Sequence, residues 1–70
     1  MIDEWQEGDS FVVDDVLFTI EKMNVKVAKA YNEHLIHCHE TDEVFPMHSY
    51  KLSLYRKLTE EEKAFYLLNL

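Results

Sequence analysis

The chain has seventy residues, fourteen acidic and seven basic, a formal net charge of −7 and 47% hydrophobic side chains. That length makes one small domain, burying only about 60% of the surface its unfolded form exposes. The charge argues against nucleic-acid binding, which needs Lys and Arg on phosphates, and the hydrophobic content argues against a disordered acidic tail. Cys38 is the only cysteine, so no intrachain disulfide can staple the fold, and one free thiol suits a reducing compartment. The opening stretch MIDEWQEGDS is acidic and lacks the apolar core of a signal peptide, and no apolar run reaches the length of a membrane span. The expectation is a cytoplasmic protein.

One Gly, one Pro and no repeat predict short connections. Residues 5–9, WQEGD, read as a lead-in turn. Ser10–Val13 is a short β-prone run, and Asp14–Asp15 a turn. Val16–Met23 alternates as a strand, with Phe18 and Ile20 on one face and Leu17 and Thr19 on the other. Asn24 reads as a tight turn, with Val25–Tyr31 returning as the hairpin partner and slipping near Ala28–Lys29. Asn32–Glu33 is the next break and His34–His39 a further strand. Val44–Phe45 is extended because it precedes Pro46. Residues 49–58 fit either a strand, with Tyr50, Leu52 and Leu54 on one face, or a helix with a Met47, Tyr50, Leu54, Leu58 stripe; the strand is favoured.

The clearest local signal is TEEE at 59–62. Thr59 as N-cap and Glu62 at N3 form a capping box, and Glu60 and Glu61 suit the positive end of the helix dipole. The helix that follows is apolar around most of its circumference. Ala64, Leu67 and Leu68 would cover a sheet, leaving Phe65, Tyr66 and Leu70 for a partner chain. A homodimer through these residues is one expectation.

The fold class is therefore mainly β with a C-terminal helix, a curled sheet or open barrel of four to five strands. The W-x-x-G-D opening, then FVV, a turn and VLFTI, resembles the start of a Src-homology-3-like (Tudor-like) small barrel over about residues 5–31. The resemblance implies a fold and carries no ligand or catalytic residue.

Three histidines and Cys38 fall within HLIHCH. On a strand, His37 and His39 share a face with Leu35, while His34, Ile36 and Cys38 share the other. His37, His39 and His48, with Glu40 or Asp42, would hold zinc if residues 41–47 folded back, but the spacing matches no established zinc template. Ordinary strand histidines beside a small core cysteine account for the same residues. The carboxylates at 14–15, 42–43 and 60–62 have turn, loop and cap roles. No phosphate loop or nucleophile elbow is present, so an enzyme is not expected.

Nine aromatics exceed what a small core demands. Most are expected to pack, but an exposed groove with Trp5 and Tyr31 would read a peptide or a modified side chain. The leading functional expectation is a non-enzymatic interaction module, in the style of small phage or prokaryotic accessory proteins that inhibit a host protein. It would meet a basic partner surface through acidic patches and aromatic anchors. The alternatives are a metal-sensing domain using the histidines and an aromatic-groove reader. No cofactor is required, and no nucleic acid or membrane is expected as partner.

Overall fold

The computed structural model describes residues 5–28 and 31–70, with side chains over 5–25 and 33–70. Four strands, β1 (Ser10–Val13), β2 (Val16–Ala28), β3 (Tyr31–Cys38) and β4 (Glu43–His48), form one open antiparallel sheet in the order β1-β2-β3-β4. Two helical segments follow, α1 (Ser49–Leu52) and α2 (Glu60–Leu68). Mainly β with a C-terminal helix is the architecture the sequence predicts.

The first reversal is the expected Asp14–Asp15 turn. Both residues have positive φ, 50° and 64°, between paired Val13 and Val16. This left-handed geometry matches the strand twist, and Asp tolerates it better than most residues.

The second expected turn does not form. Strand β2 runs on through Asn24, whose φ of 55° absorbs a register shift between Lys22 and Val25. Two N–H groups displaced by this bulge are taken by side chains. Met23 N–H donates to Glu7 Oε2 at 3.2 Å, and Asn24 N–H donates to His34 Nδ1 at 3.0 Å. With those donors satisfied, an Asn that alone suggests reversal sits inside a strand as a bend. The chain reverses instead between paired Ala28 and Tyr31, and the expected slip appears as a further register shift between Lys26 and Ala28. Asn32 and Glu33, expected as a break, are paired within β3.

The pairing places Phe11, Phe18 and Cys38 in one cross-strand row, and Ile20, Ile36 and Phe45 in the next. This face carries the core of Trp5, Phe11, Ile20, Ile36 and Leu52, flanked by Phe18, Met23, Phe45, Met47 and Tyr55. Phe11 is its centre. It stacks on Tyr55 at 4.8 Å and 7° and on Phe18 at 5.5 Å, and meets Trp5 edge-on at 5.8 Å. Offset and edge contacts of this kind add about 0.5–1.5 kcal/mol each beyond area burial.

Residues 49–58 are not a strand. Ser49–Leu52 make one helical turn, closed by Ser53 Oγ donating to Tyr50 O at 2.6 Å, and drive Leu52 fully into the core. A strand would leave Tyr50, Leu52 and Leu54 on one face, but Tyr50 and Leu54 are exposed while Leu52 is buried. The connection then crosses the outer edge of β1, where Leu58 N–H donates to Ser10 O at 2.9 Å. That contact blunts one open edge of the sheet. At the other edge, Pro46 removes a donor from β4.

Helix α2 forms with the full capping box. Thr59 Oγ1 accepts from Glu62 N–H at 3.2 Å, and Glu62 Oε1 accepts from Thr59 N–H at 2.9 Å. None of its residues is buried.

Candidate functional site

The histidines fall on the two faces the alternation predicts, but they do not converge. His34, Ile36 and Cys38 are buried; Leu35, His37 and His39 are half-buried on the opposite face. His37 pairs with Val44 and His48 with Glu33. The four steps along β4 from Val44 to His48, at about 3.3 Å each, put His48 roughly 13 Å along the sheet from His37. The expected three-histidine set of His37, His39 and His48 is therefore split between the two ends of β4. Among the described residues no group of three or more His, Cys, Asp or Glu side chains is placed to hold a metal ion.

His37 and His39 instead form part of a polar row. Their rings meet at 4.5 Å and 66°, and His37 Nε2 lies 2.6 Å from Asp42 Oδ1. His39 Nε2 lies 2.7 Å from Thr19 Oγ1, which lies 2.7 Å from the Oγ of buried Ser10. Burial holds His39 below the usual imidazole range, helped by His37 and Lys63 and opposed by Asp42 and Glu21. His39 is therefore a neutral hydrogen-bonding group near pH 7.

His34, absent from the expected site residues, has a defined job. Its Nδ1 accepts from the bulge N–H of Asn24, so its proton resides on Nε2, which donates to Ser49 Oγ at 2.7 Å. One neutral ring thus ties the bend of β2 to the start of α1. Burial lowers its proton affinity first and His48 second, while Glu33 acts the other way. The signal was legible: strict alternation puts His34 on the face of Ile36 and Cys38, where an imidazole must find two partners.

Cys38 behaves as the small buried residue expected of it. Its thiol is held below the ordinary range by the hydroxyl and N–H of Thr41, with Glu40 N–H assisting and burial opposing.

The aromatics divide cleanly. Trp5, a candidate groove residue, is 6% exposed and packs on Phe11, with the Lys57 ammonium 5.9 Å from its ring centre. It is a core residue and no part of an open cage. The Tyr31 side chain lies outside the described residues. Of the three candidate contacts on and just after α2, Phe65 is 63% and Leu70 67% exposed, while Tyr66 is half-buried. The face turned inward is Glu62, Lys63 and Tyr66, not the expected Ala64, Leu67 and Leu68. Among the described residues Leu68 is the most exposed large apolar residue, at 85%.

Polar ties fix this helix. Arg56 donates to both Glu62 carboxylate oxygens, at 2.9 and 2.8 Å, and Lys63 Nζ donates to Gly8 O at 2.7 Å. The Arg56 guanidinium, with Thr59 N–H, brings the Glu62 carboxyl down to about 2.

Between α2 and the sheet lies a cleft of about 550 Å³. Asp15, Val16 and Leu17 line it from the first hairpin, His39 and Glu40 from beyond β3, and Phe65, Tyr66, Asn69 and Leu70 from the helix end. Leu17 is buried beneath it and stands apart from the main core. Sequence marked Phe65, Tyr66 and Leu70 of this cleft as contacts, and His39 and Glu40 only as metal-ligand candidates; it did not bring them together, since the hairpin, the β3 end and the helix meet only in the folded chain.

Among the described residues no helix is long and apolar enough to cross a membrane. No protein-family model matches the chain, and neither curated proteins nor solved structures give a match.

Proposed function

We propose that the protein is a non-enzymatic interaction module that presents α2 to a partner protein with a basic surface. One observation carries the reading: a well-capped, ion-paired helix and the residues just after it hold Phe65, Leu67, Leu68 and Leu70 exposed, and the helix buries none of its residues. Burying such side chains is worth about 1.5–3 kcal/mol each, so a covered helix gains far more than the free one. Exposed apolar patches of this kind mark interaction sites on soluble chains.

Charge selects the partner. Two copies of a chain of net charge −7 repel, whereas a basic surface is attracted over a long range. The cations nearest the helix are engaged within the chain, Arg56 with Glu62, Lys57 with Asp9 and Lys63 with Gly8 O. Exposed Glu60 and Glu61 flank the apolar face at its start. A homodimer through the same face is the competing occupant. The Src-homology-3-like reading of the sheet belongs to this proposal as well, supported by the bends in β2.

A photo-crosslinking side chain at position 68, compared with one at exposed position 44 on β4, tests the helix. The expected result is a partner joined at 68 but not at 44, with lysines or arginines flanking the joined residue and yield falling as salt rises. Sedimentation equilibrium across micromolar concentrations tests the competing occupant. A concentration-dependent dimer abolished by Leu68→Asp would replace the basic partner with a second copy. A monomer giving equal yields at 68 and 44 would overturn the reading.

A further inference from the structure

The cleft beside α2 combines three features whose chemistry agrees. Its floor and one side are apolar, from Val16, Leu17 and Leu70. Its helical wall carries Phe65 and Tyr66, whose rings stand nearly perpendicular, 85° apart with centroids at 5.6 Å. Two acidic residues, Asp15 and Glu40, line it from separate turns and are exposed. Among the described residues, no ion pair engages either carboxylate.

An apolar ligand would satisfy the floor and desolvate the carboxylates without compensation. A small anion would meet two like charges. A cation on an aliphatic stem satisfies every wall: the stem lies on apolar surface, the charge meets carboxylates, and aromatic faces attract it further. The volume lies within the range of sites that enclose a small organic group. Neutral His39 adds no opposing charge, and the Lys63 ammonium is turned to Gly8 O.

We propose that this cleft receives an alkylammonium or guanidinium group, namely a lysine or arginine side chain of the partner protein, with Asp15 and Glu40 taking the charge and Leu17, Phe65 and Tyr66 taking the stem. The assignment of the cation to a partner rests on the interaction reading above; the cleft chemistry does not. It makes the cleft a specificity pocket next to the apolar helix face.

Amide shifts of the full chain, followed by NMR, test it with blocked Gly-Arg-Gly and Gly-Lys-Gly peptides, with butylammonium as the free amine and blocked Gly-Gln-Gly as the neutral match. The expected result is saturable shifts at residues 15–17, 39–40 and 65–70 with the charged peptides, in roughly the millimolar range for so small a ligand. Tighter binding of butylammonium than of either charged peptide would keep the cation chemistry but overturn its assignment to a partner side chain. Asp15→Asn with Glu40→Gln should weaken peptide binding by about fivefold. Asn accepts the left-handed backbone at position 15 and Glu40 is exposed, so the fold should survive; an unchanged amide spectrum outside the cleft verifies this. Equal shifts with the glutamine peptide, or undiminished affinity in the double variant, overturn the proposal. No saturable shift, with crosslinking through position 68 intact, removes the cleft and leaves the helix-face reading standing.

Discussion

The two helical segments invert each other. Segment α1 is four residues long, has no side-chain cap at its N-terminus and carries no acidic residue in its first turn, yet its Leu52 is fully buried. Helix α2 is nine residues long with a capping box and three first-turn glutamates, and buries none of its residues. Local signals therefore say where a helix forms, and they say nothing about whether it carries the fold. One turn of helix is unfavourable in isolation. It persists here because Leu52 docks among Phe11, Ile20 and Ile36 and because Ser49 is held by His34. Conversely, α2 is formed by its own sequence and held by a few polar ties, which leaves its apolar residues available.

The sharpest way to break this contrast is a matched pair of leucines. Leu52→Ala should cost about 2–5 kcal/mol of global stability, a large share of the ~5–15 kcal/mol typical of a domain. Leu68→Ala should stay within about 0.5 kcal/mol. Urea unfolding of the two variants measures both; equal losses would show that α2 is packed like a core helix.

Removing the cap from α2 should act locally. Thr59→Ala is expected to cost about 0.5–2 kcal/mol of helix stability. Faster amide exchange should appear at Glu62 and Lys63 while the core strands keep their protection. A comparable loss across β2 and β3 would mean that helix and sheet unfold as one unit.

Acid should loosen the α1 side. His34 and His39 are both held below the usual imidazole range in the fold, so below about pH 6.5 the unfolded chain binds more protons than the folded one. Stability is then full above that pH and falls as pH drops toward the folded-state values. Protonation of His34 at Nδ1 also turns the acceptor of the Asn24 N–H into a donor. Urea midpoints between pH 7.5 and 5.5 should decline, and the decline should be shallower in His34→Gln. An identical slope in that variant would assign the effect elsewhere.

The smallest effect concerns the exposed pair that steadies α2. The Glu62 carboxyl is expected to titrate at about 2 and to return toward the ordinary carboxylate range in Arg56→Met, followed by carbon NMR of the side chain. Little change in the unfolding midpoint should accompany it, since exposed ion pairs contribute little to stability.

Much of the β architecture was legible because side-chain alternation is a local property. The strand of His34, Ile36 and Cys38 has its buried and open faces where the period of two puts them. The Asp14–Asp15 turn and the Thr59–Glu62 box were legible for the same reason, since all their partners lie within four residues. The path through Asn24 was not, because an Asn with positive φ serves a turn or a bulge equally well. The choice rests on Glu7 and His34, ten or more residues away, which satisfy the displaced N–H groups.

The candidate site followed the same division. Sequence marked α2 as over-supplied with apolar side chains and named Phe65, Tyr66 and Leu70, but it could not set the rotation of the helix on the sheet. A helix apolar on most sides has no amphipathic stripe to fix its inward face. That choice fell to Arg56 and Gly8, which hold Glu62 and Lys63 against the sheet and turn Tyr66 inward while leaving Phe65 and Leu68 outside. Composition by itself determined a small acidic β domain with a capped terminal helix, because charge, alternation and capping act over a few residues. Tertiary structure alone separated His48 from His37, buried Trp5 and brought Asp15 and Glu40 to one cleft, because those distances are set by strand register and long-range packing.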